Sequence, residues 1–245
     1  MRNTLIFSIT ILLGFSSYAQ DPFLKDSLPE FKNNIKLNVS SFAIYDKAFI
    51  MSYERIINNK QSMSFEFGAA ALPTIDSLAA DGFYLSKENQ NKGFKIAFDY
   101  RFYPQKENKF SAPRGIYIGP FLAFYHFDKQ NSFQFIDSNS VSVDLNVKAN
   151  IYQAGFEVGY HFIFYKRWSV DLLLMGPALS FYSTNINLSS TVSSENELVQ
   201  DFYQALANKY PGFSTLVNEG EITTTGRTDF FAGGFRYSVS IGFLF

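Results

Sequence analysis

Residues 235–245 read "FRYSVSIGFLF". Every second residue in it is aromatic or aliphatic: Phe235, Tyr237, Val239, Ile241, Phe243 and Phe245. The residues between them are mostly small or polar. This period of two predicts a β-strand whose two faces meet unlike environments. Such an apolar face packs on a core in a soluble sheet, or contacts lipid in a transmembrane barrel whose other face lines the interior.

The composition narrows the choice of function. The chain has 245 residues and a formal net charge of −1, so it lacks the basic excess of nucleic-acid-binding domains, and we expect no nucleic-acid partner. Aromatic residues make up 18%, as is typical where rings lie at a membrane boundary. Cysteine is absent, which excludes disulfides, thiolate metal sites and a lipidated cysteine. Without a phosphate-loop motif or metal-ligand cluster, we expect no cofactor, no metal and no catalytic residue.

The N-terminus has the pattern of a secretory signal peptide. One arginine precedes an apolar run from Leu5 to Phe15, and Ser17-Tyr18-Ala19 forms a small-x-small cleavage site. The alternative is a membrane anchor, but the run is shorter than the ~20 residues of a spanning helix. We therefore predict a signal peptide at residues 1–19, a periplasmic segment at 20–33 and a barrel domain at 34–245. Insertion into a membrane would then be by strands.

Alternating segments recur along the mature chain, and their number is even. They lie near residues 34–43, 48–57, 61–70, 92–103, 114–127, 148–165, 168–182 and 231–245. Several exceed the usual strand length in soluble proteins and suit a tilted membrane crossing of ~9–11 residues. The sequence predicts an all-β fold, an eight-stranded antiparallel transmembrane β-barrel.

The connections between these segments differ in length at the two ends. Residues 58–61, 104–113 and 166–167 are brief at one end, whereas 72–91, 128–147 and 183–230 are long at the other. Only a turn at Asp46-Lys47 is short in the second set. This asymmetry is typical of outer-membrane barrels with both termini on the periplasmic side, and a soluble lipocalin-like barrel gives no reason for it. The three long loops are then extracellular and are candidates to contact a protein partner.

The last long loop carries a helix signal. Ser194 to Glu197 forms a capping box, Leu198, Phe202 and Leu206 share a stripe, and Pro211-Gly212 ends the pattern. We predict a short helix in the last extracellular loop. It either rests its apolar side on the barrel rim or contacts a partner.

Alternation also assigns charged side chains to the barrel interior. Five acids, four bases and one histidine fall on inward positions: Lys36, Glu54, Glu66, Lys95, Asp99, Arg101, Glu157, His161, Asp171 and Arg236. Nearly balanced charges neutralise one another, whereas unpaired ones are costly to bury. Because side chains fill an eight-stranded barrel, we predict a closed polar lumen, with a narrow channel as the alternative. The fifth segment is ambiguous, since both its faces are apolar.

Catalysis by a histidine is the other alternative. The chain has two histidines, His126 and His161, and His126 lies near the predicted outer rim. Some outer-membrane enzymes hydrolyse lipid acyl chains with histidine and serine. No serine lies two residues from His126 on the same strand face. An interfacial histidine therefore explains this position better than an acyl hydrolase does.

The sequence resembles a known group of proteins. The signal peptide, the eight segments, "SYER" at 52–55 and "YSVSIGFLF" at 237–245 resemble small outer-membrane β-barrel proteins of Bacteroidetes. These are the PorT-like and DUF3575-type families, distantly similar to the OmpA-type transmembrane barrel. The resemblance implies location in a Gram-negative outer membrane, contact with outer-membrane lipid and insertion by the barrel-assembly machinery. It also implies an assembly signal at Tyr237, Ile241, Phe243 and Phe245, with Ser240 where a glycine is often found.

These observations together give one hypothesis and its rivals. We expect a non-enzymatic, integral outer-membrane protein with a structural role or an interaction role through its extracellular loops. The alternatives are a lipid acyl hydrolase, a narrow porin-like channel and a secreted soluble barrel that binds an apolar ligand. The soluble barrel predicts an apolar lumen and a polar exterior, which is the reverse of the charge placement predicted here.

Overall fold

The computed structural model of the chain describes residues 31–72, 83–104, 106–108, 110–135, 138–190, 200–201, 217–218, 221–222 and 225–245. The predicted signal peptide and most of the predicted periplasmic segment lie outside these residues. Asn33 already belongs to the first strand. The barrel domain therefore starts one residue before the predicted boundary.

Eight strands form a closed antiparallel barrel in the order β1-β10-β7-β6-β5-β4-β3-β2. A short helix and a separate two-stranded sheet, β8-β9, accompany them. The bounds are β1 Asn33–Asn38, α1 Ser41–Ile44, β2 Asp46–Asn58, β3 Gln61–Ala71, β4 Phe83–Phe102, β5 Gly115–Phe135, β6 Ser138–Phe164, β7 Trp168–Ser190, β8 Val217–Asn218, β9 Glu221–Ile222 and β10 Thr225–Leu244. The predicted eight-stranded all-β barrel is confirmed.

The ring closes between its first and last strands. β1 pairs with β10 from Asn34 opposite Leu244 to Asn38 opposite Ser240. Below this ladder, the backbone N–H of Phe245 donates to the carbonyl of Asn33 over 2.9 Å, and the N–H of Asn33 donates back over 3.1 Å. Closure of this kind satisfies backbone groups that an open sheet would leave exposed.

Strand β4 illustrates how the period of two separates the faces. Phe94, Ile96 and Phe98 point outward and are 40–43% exposed, whereas Lys95 between them and Asp99 directly after them are buried. The same alternation appears in β3, where Phe65 and Phe67 flank the buried Glu66. In these two segments, large apolar side chains therefore face outward and charged ones point to the axis.

Two predicted boundaries near the first strand are wrong. The strand predicted at 34–43 ends at Asn38, because the Asn38 side chain accepts the backbone N–H of Ser41 over 3.1 Å and its carbonyl accepts the Ser41 hydroxyl over 2.7 Å. Such local side-chain bonds favour a turn over a ladder, and α1 follows. The turn predicted at Asp46-Lys47 lies inside β2, where Lys47 has a φ of 48° and the register to β3 shifts.

All three predicted long loops contain strand residues, and loop 128–147 consists almost entirely of them. β4 begins at Phe83, inside the predicted loop 72–91, and β5 and β6 pair continuously from Gly115 opposite His161 to Gln134 opposite Ser142. The outward residues of this extension are polar, which made it look like a loop, but inward residues such as Phe133, Val143 and Leu145 are buried. Likewise β7 continues to Ser190 and β10 begins at Thr225, inside the predicted loop 183–230.

The predicted helix near the capping box lies almost entirely outside the described residues. Only Gln200 and Asp201 of that region are described, and both are helical. Within the described residues, no helix combines the length and the apolar character needed to cross a membrane.

The barrel interior is filled along its length. At the end with the short turns, Ile56, Tyr103, Ala112 and Tyr117 form one buried cluster. Toward the long-strand end a second buried cluster contains Ile50, Phe121, Tyr125 and Phe127, among others. Charged side chains are buried in the same interior, among them Lys36, Asp99 and Arg101.

Candidate functional site

All ten residues assigned to the lumen from the sequence lie inside the barrel. None is more than 4% exposed. Seven of the eight barrel strands contribute, with β4 and β6 supplying more than one residue each. The set is Lys36, Glu54, Glu66, Lys95, Asp99, Arg101, Glu157, His161, Asp171 and Arg236.

One group of these residues surrounds the Lys36 ammonium. Lys36 Nζ donates to Glu54 Oε2 over 2.9 Å and to Asp171 Oδ2 over 2.6 Å. The Nη1 of Arg101 donates to the same Asp171 oxygen over 2.6 Å. A buried ion pair offsets its desolvation cost only with several good hydrogen bonds, and this arrangement supplies them.

A second group surrounds the Arg236 guanidinium on β10. Arg236 forms a short ion pair with Asp99, and its nitrogens lie 3.4 Å from Glu66 Oε2 and 3.5 Å from Glu157 Oε2. Lys95 forms a short ion pair with Glu66. The last strand, which closes the ring, is therefore fixed to the opposite wall through its one buried charge.

Arg101 joins the two groups into one network. Its Nε donates to Glu157 Oε1 over 3.0 Å, while its Nη1 contacts Asp171. Because Glu157 also contacts Arg236, an unbroken chain of ion pairs runs from β1 to β10 through the lumen. Five carboxylates face four permanent cations in the lumen, so the charges nearly neutralise one another.

Two tyrosines complete the network, and the sequence did not identify them. The Tyr117 hydroxyl donates to Asp171 Oδ1 over 2.8 Å, and the Tyr103 hydroxyl donates to Glu54 Oε1 over 3.2 Å. The Arg101 guanidinium lies 4.2 Å from the centroid of the Tyr117 ring. The inward position of Tyr117 can be recognised only when the strand pairing is known. Gly159 on β6 then lies directly opposite and leaves room for the ring.

Neutral polar residues near the short turns were also missed. Asn34 Nδ2 donates to Ser169 Oγ over 3.0 Å and lies 3.3 Å from His161 Nε2. Both Asn34 and Ser169 are fully buried. The sequence pattern could have identified both, since each is a polar residue at an inward-facing position of its strand.

Glu54, His161 and Asp171 place possible metal-ligand atoms within 4.8 Å of one another. Within the part of the chain that the structure describes, His161 Nδ1 has no hydrogen-bond partner, and it lies 3.6 Å from Glu54 Oε2. However, the Lys36 ammonium contacts both carboxylates, so it already supplies the positive charge where a metal ion would bind. The donor set therefore does not fit a metal ion, and we assign none.

His126 lies on the outer face rather than in the lumen. Its Nδ1 is 2.7 Å from Oδ1 of Asn150 on β6, and its ring is 5.4 Å from that of Phe94. Among the described residues, no serine or threonine hydroxyl contacts this ring. The described contacts of this ring are therefore an amide and an aromatic ring on the outer surface.

Aromatic side chains form two bands on the outer surface. An upper aromatic row crosses five strands with neighbouring ring centroids 4.9–6.2 Å apart, and consists of Phe94, Phe124, Tyr152, Phe181 and Phe231. Near the short turns, Tyr100 contacts Phe102 and Trp168 contacts Phe243, with centroids 5.0 and 5.5 Å apart. Aromatic girdles at both ends of an apolar band are characteristic of barrels that span a bilayer.

The proposed assembly-signal residues share the outer face of β10. Tyr237, Ile241 and Phe245 are 44–55% exposed, and Phe243 packs on Trp168. This placement leaves the side chains accessible, and their role in assembly stays a prediction.

The fold and the network define a closed eight-stranded barrel with a charged interior and an apolar, aromatic exterior. The chain belongs to the DUF3575 family, described as "Protein of unknown function", whose model matches residues 5–194. This agrees with the DUF3575-type resemblance, while the PorT-like relationship and the bacterial group stay predictions.

Comparisons with individual proteins add little. No curated protein matches the chain. Among solved structures, the chain is similar to a major outer membrane protein from Thermus thermophilus, with 8% identity and a TM-score of 0.40 over 88% of this chain and 100% of that chain. A similarity this low says nothing about what the chain does.

Proposed function

We propose that the chain is an integral outer-membrane protein whose barrel is a closed, non-conducting and non-enzymatic scaffold. It presents a rigid sheet and its loops on the extracellular side to a protein partner. A cleaved signal peptide directs export, and the barrel-assembly machinery inserts the chain.

The observation that carries this proposal is the inverted distribution of polarity. Ten ionisable side chains are sealed inside, while Leu122, Phe156 and Leu179 are 60–64% exposed outside. Exposed apolar area on this scale is costly in water but matches the acyl region of a bilayer. A soluble barrel for an apolar ligand requires the opposite arrangement.

Strand length supports the proposal that the barrel presents a rigid sheet to a protein partner. A bilayer crossing uses ~9–11 residues, whereas β6 has 27 and β7 has 23. The five strands from β4 to β10 in ring order therefore continue well beyond the upper aromatic row. Their continuous pairing makes the extension a rigid platform, which suits recognition of a partner.

The membrane assignment is tested with the full chain in native outer membranes. A folded barrel migrates anomalously on a gel before boiling and resists extraction by carbonate. In planar bilayers, the purified protein should give no steady conductance, because the ion-pair network fills the lumen. Absence from the outer-membrane fraction contradicts the location, and stable ion currents contradict the closed lumen.

The partner role is tested by shortening the platform. Replacing residues 132–144 by Asn-Gly joins Asn131 to Leu145, which are paired, through a favoured two-residue turn. This variant should keep its anomalous gel migration. It should lose any protein that cross-links to the wild-type chain on intact cells. Cross-linking unchanged by the deletion would show that the platform is not the contact surface.

A further inference from the structure

A groove crosses the outer surface directly below the upper aromatic row. It has a volume of about 480 Å³, within the range of pockets for small molecules, and runs from Ile96 on β4 to Phe231 on β10. Ala154 forms its floor, because it lies in register between the larger Leu122 and Leu179. The next position along this row is Gly233, where an added side chain would meet no atom.

A row of charged and polar side chains stands above the groove on the same outer face. In register across the five strands it consists of Lys92, Asp128, Lys148, Asn185 and Arg227, and we call it the polar row. On β6, Lys148 is four residues above Tyr152, which borders the groove. The pattern thus places cations at one side of an aromatic band and an apolar groove at the other.

The two lysines of the polar row are available to bind an anion. Lys92 and Lys148 are exposed, and neither forms an ion pair within the part of the chain that is described. Arg227 is already engaged, since its Nε lies 3.0 Å from Asp229 Oδ2. Asp128 lies in register between the two lysines, and Gln90 donates to its Oδ2 over 3.1 Å.

The spacing suits one amphiphilic molecule. Strands are about 4.8 Å apart, so the two lysine Cα atoms, separated by one strand, are about 10 Å apart, and both long side chains can reach a group between them. Four residues along a strand cover about 13 Å, less when measured along the tilted membrane normal. This is the separation between a lipid headgroup and the upper part of its acyl chains.

We propose that this surface is a specific site for an outer-leaflet lipid whose phosphate headgroup carries a net negative charge. The phosphate lies between Lys92 and Lys148, and one acyl chain occupies the groove over Ala154. The inference rests on the proposed outer-membrane location and adds a ligand class to it. Phosphate is favoured because ammonium groups bind it as point charges. A net negative charge is favoured because the second charge of a zwitterionic headgroup would be a cation near the two lysines.

The experiment compares two lipids with identical chains on the full-length protein. Native mass spectrometry counts dimyristoylphosphatidylglycerol and dimyristoylphosphatidylcholine retained by barrels released from detergent micelles. Wild type should retain the anionic lipid preferentially. Lys92→Gln with Lys148→Gln should reduce that preference by about fivefold per lysine. Ala154→Trp, which fills the groove, should reduce retention of both lipids.

Matched controls separate this site from general effects. Lys60→Gln with Lys106→Gln removes two exposed lysines at the short-turn end, and Val239→Trp adds an indole elsewhere on the outer face. Both should behave as wild type. Equal retention of the two lipids by wild type overturns the proposal, as does a dimer that Ala154→Trp dissociates without affecting lipid retention. A barrel that inserts into vesicles but has no preference refutes only this inference, whereas failure to insert refutes the proposed function as well.

Discussion

Arg101 on β4 donates to Asp171 on β7 over 2.6 Å, and these two strands are separated in the ring by β5 and β6. The contact therefore spans the lumen instead of following the wall. Both side chains are buried. Because water is excluded, the ion pair is strong but depends on complete neutralisation of its partners. Strands that are not neighbours in the ring are thus held together by charge across the lumen, where a soluble barrel would use apolar packing.

Breaking one ion pair in the lumen should destabilise the barrel more than removing both partners. Lys95→Met leaves Glu66 buried with Arg236 as its remaining cation, 3.4 Å away. We expect a loss of about 3–5 kcal/mol, and a smaller loss for Lys95→Met with Glu66→Leu. The measurement is the urea midpoint of the gel-shift transition in each variant, completed as a double-mutant cycle. A double variant less stable than either single variant contradicts this account.

The sequence predicted the strands and their faces because alternation is a local signal. Each crossing strand between residues 48 and 103 shows it, and the structure places those strands in neighbouring positions. Strand ends were harder to predict. The Asn38 side chain ends β1 through hydrogen bonds that depend on one local geometry, and the polar outer face of the β5–β6 extension resembles a loop until its buried Phe133 and Leu145 are considered.

A charge placed on the outer face should be tolerated in water but not in a bilayer. Phe65 is 44% exposed and lies between Tyr53 and Phe98 on the neighbouring strands. Phe65→Arg should cost about 2–4 kcal/mol of folding free energy in lipid vesicles, because the guanidinium lies in the acyl region. The folding free energy is measured by urea titration in vesicles of dilauroylphosphatidylcholine.

The matched control for that substitution is Tyr165→Arg. Tyr165 is 93% exposed at the turn between β6 and β7, outside the apolar band. Its replacement should change the folding free energy by less than about 0.5 kcal/mol. Equal effects at the two positions would mean that the outer face does not meet lipid.

The aromatic ring of Phe245 and its backbone should have separable roles. The backbone exchanges two hydrogen bonds with Asn33 and so closes the barrel, whereas the side chain is 49% exposed. Phe245→Ala retains the backbone bonds, so a refolded barrel should lose less than about 1 kcal/mol. If the aromatic ring belongs to the assembly signal, the amount inserted in cells should fall several-fold. Normal insertion in cells would remove Phe245 from the proposed signal.

Tyr117 was missed because the inward face of its strand could not be assigned from alternation. Both faces of β5 are apolar, so alternation along this strand does not show whether Tyr117 points into the lumen. The assignment depends on Gly159, which is distant in sequence and opposite in register. Pairing between distant strands is a tertiary property, and one sequence contains no local sign of it. For the same reason, the groove over Ala154 and the polar row above it became visible only after the register was known.

Removing the Tyr117 hydroxyl should test how tightly the lumen charges depend on neutral donors. Tyr117 donates to Asp171 Oδ1 over 2.8 Å, while Lys36 and Arg101 both use the other oxygen. Tyr117→Phe leaves the first oxygen without this donor, and hydrogen bonds to charged groups contribute about 1.5–3 kcal/mol. The urea midpoint should fall accordingly, whereas Tyr160→Phe on the outer face should leave the stability within about 0.5 kcal/mol of wild type. An unchanged midpoint in Tyr117→Phe would mean that the two cations alone stabilise Asp171.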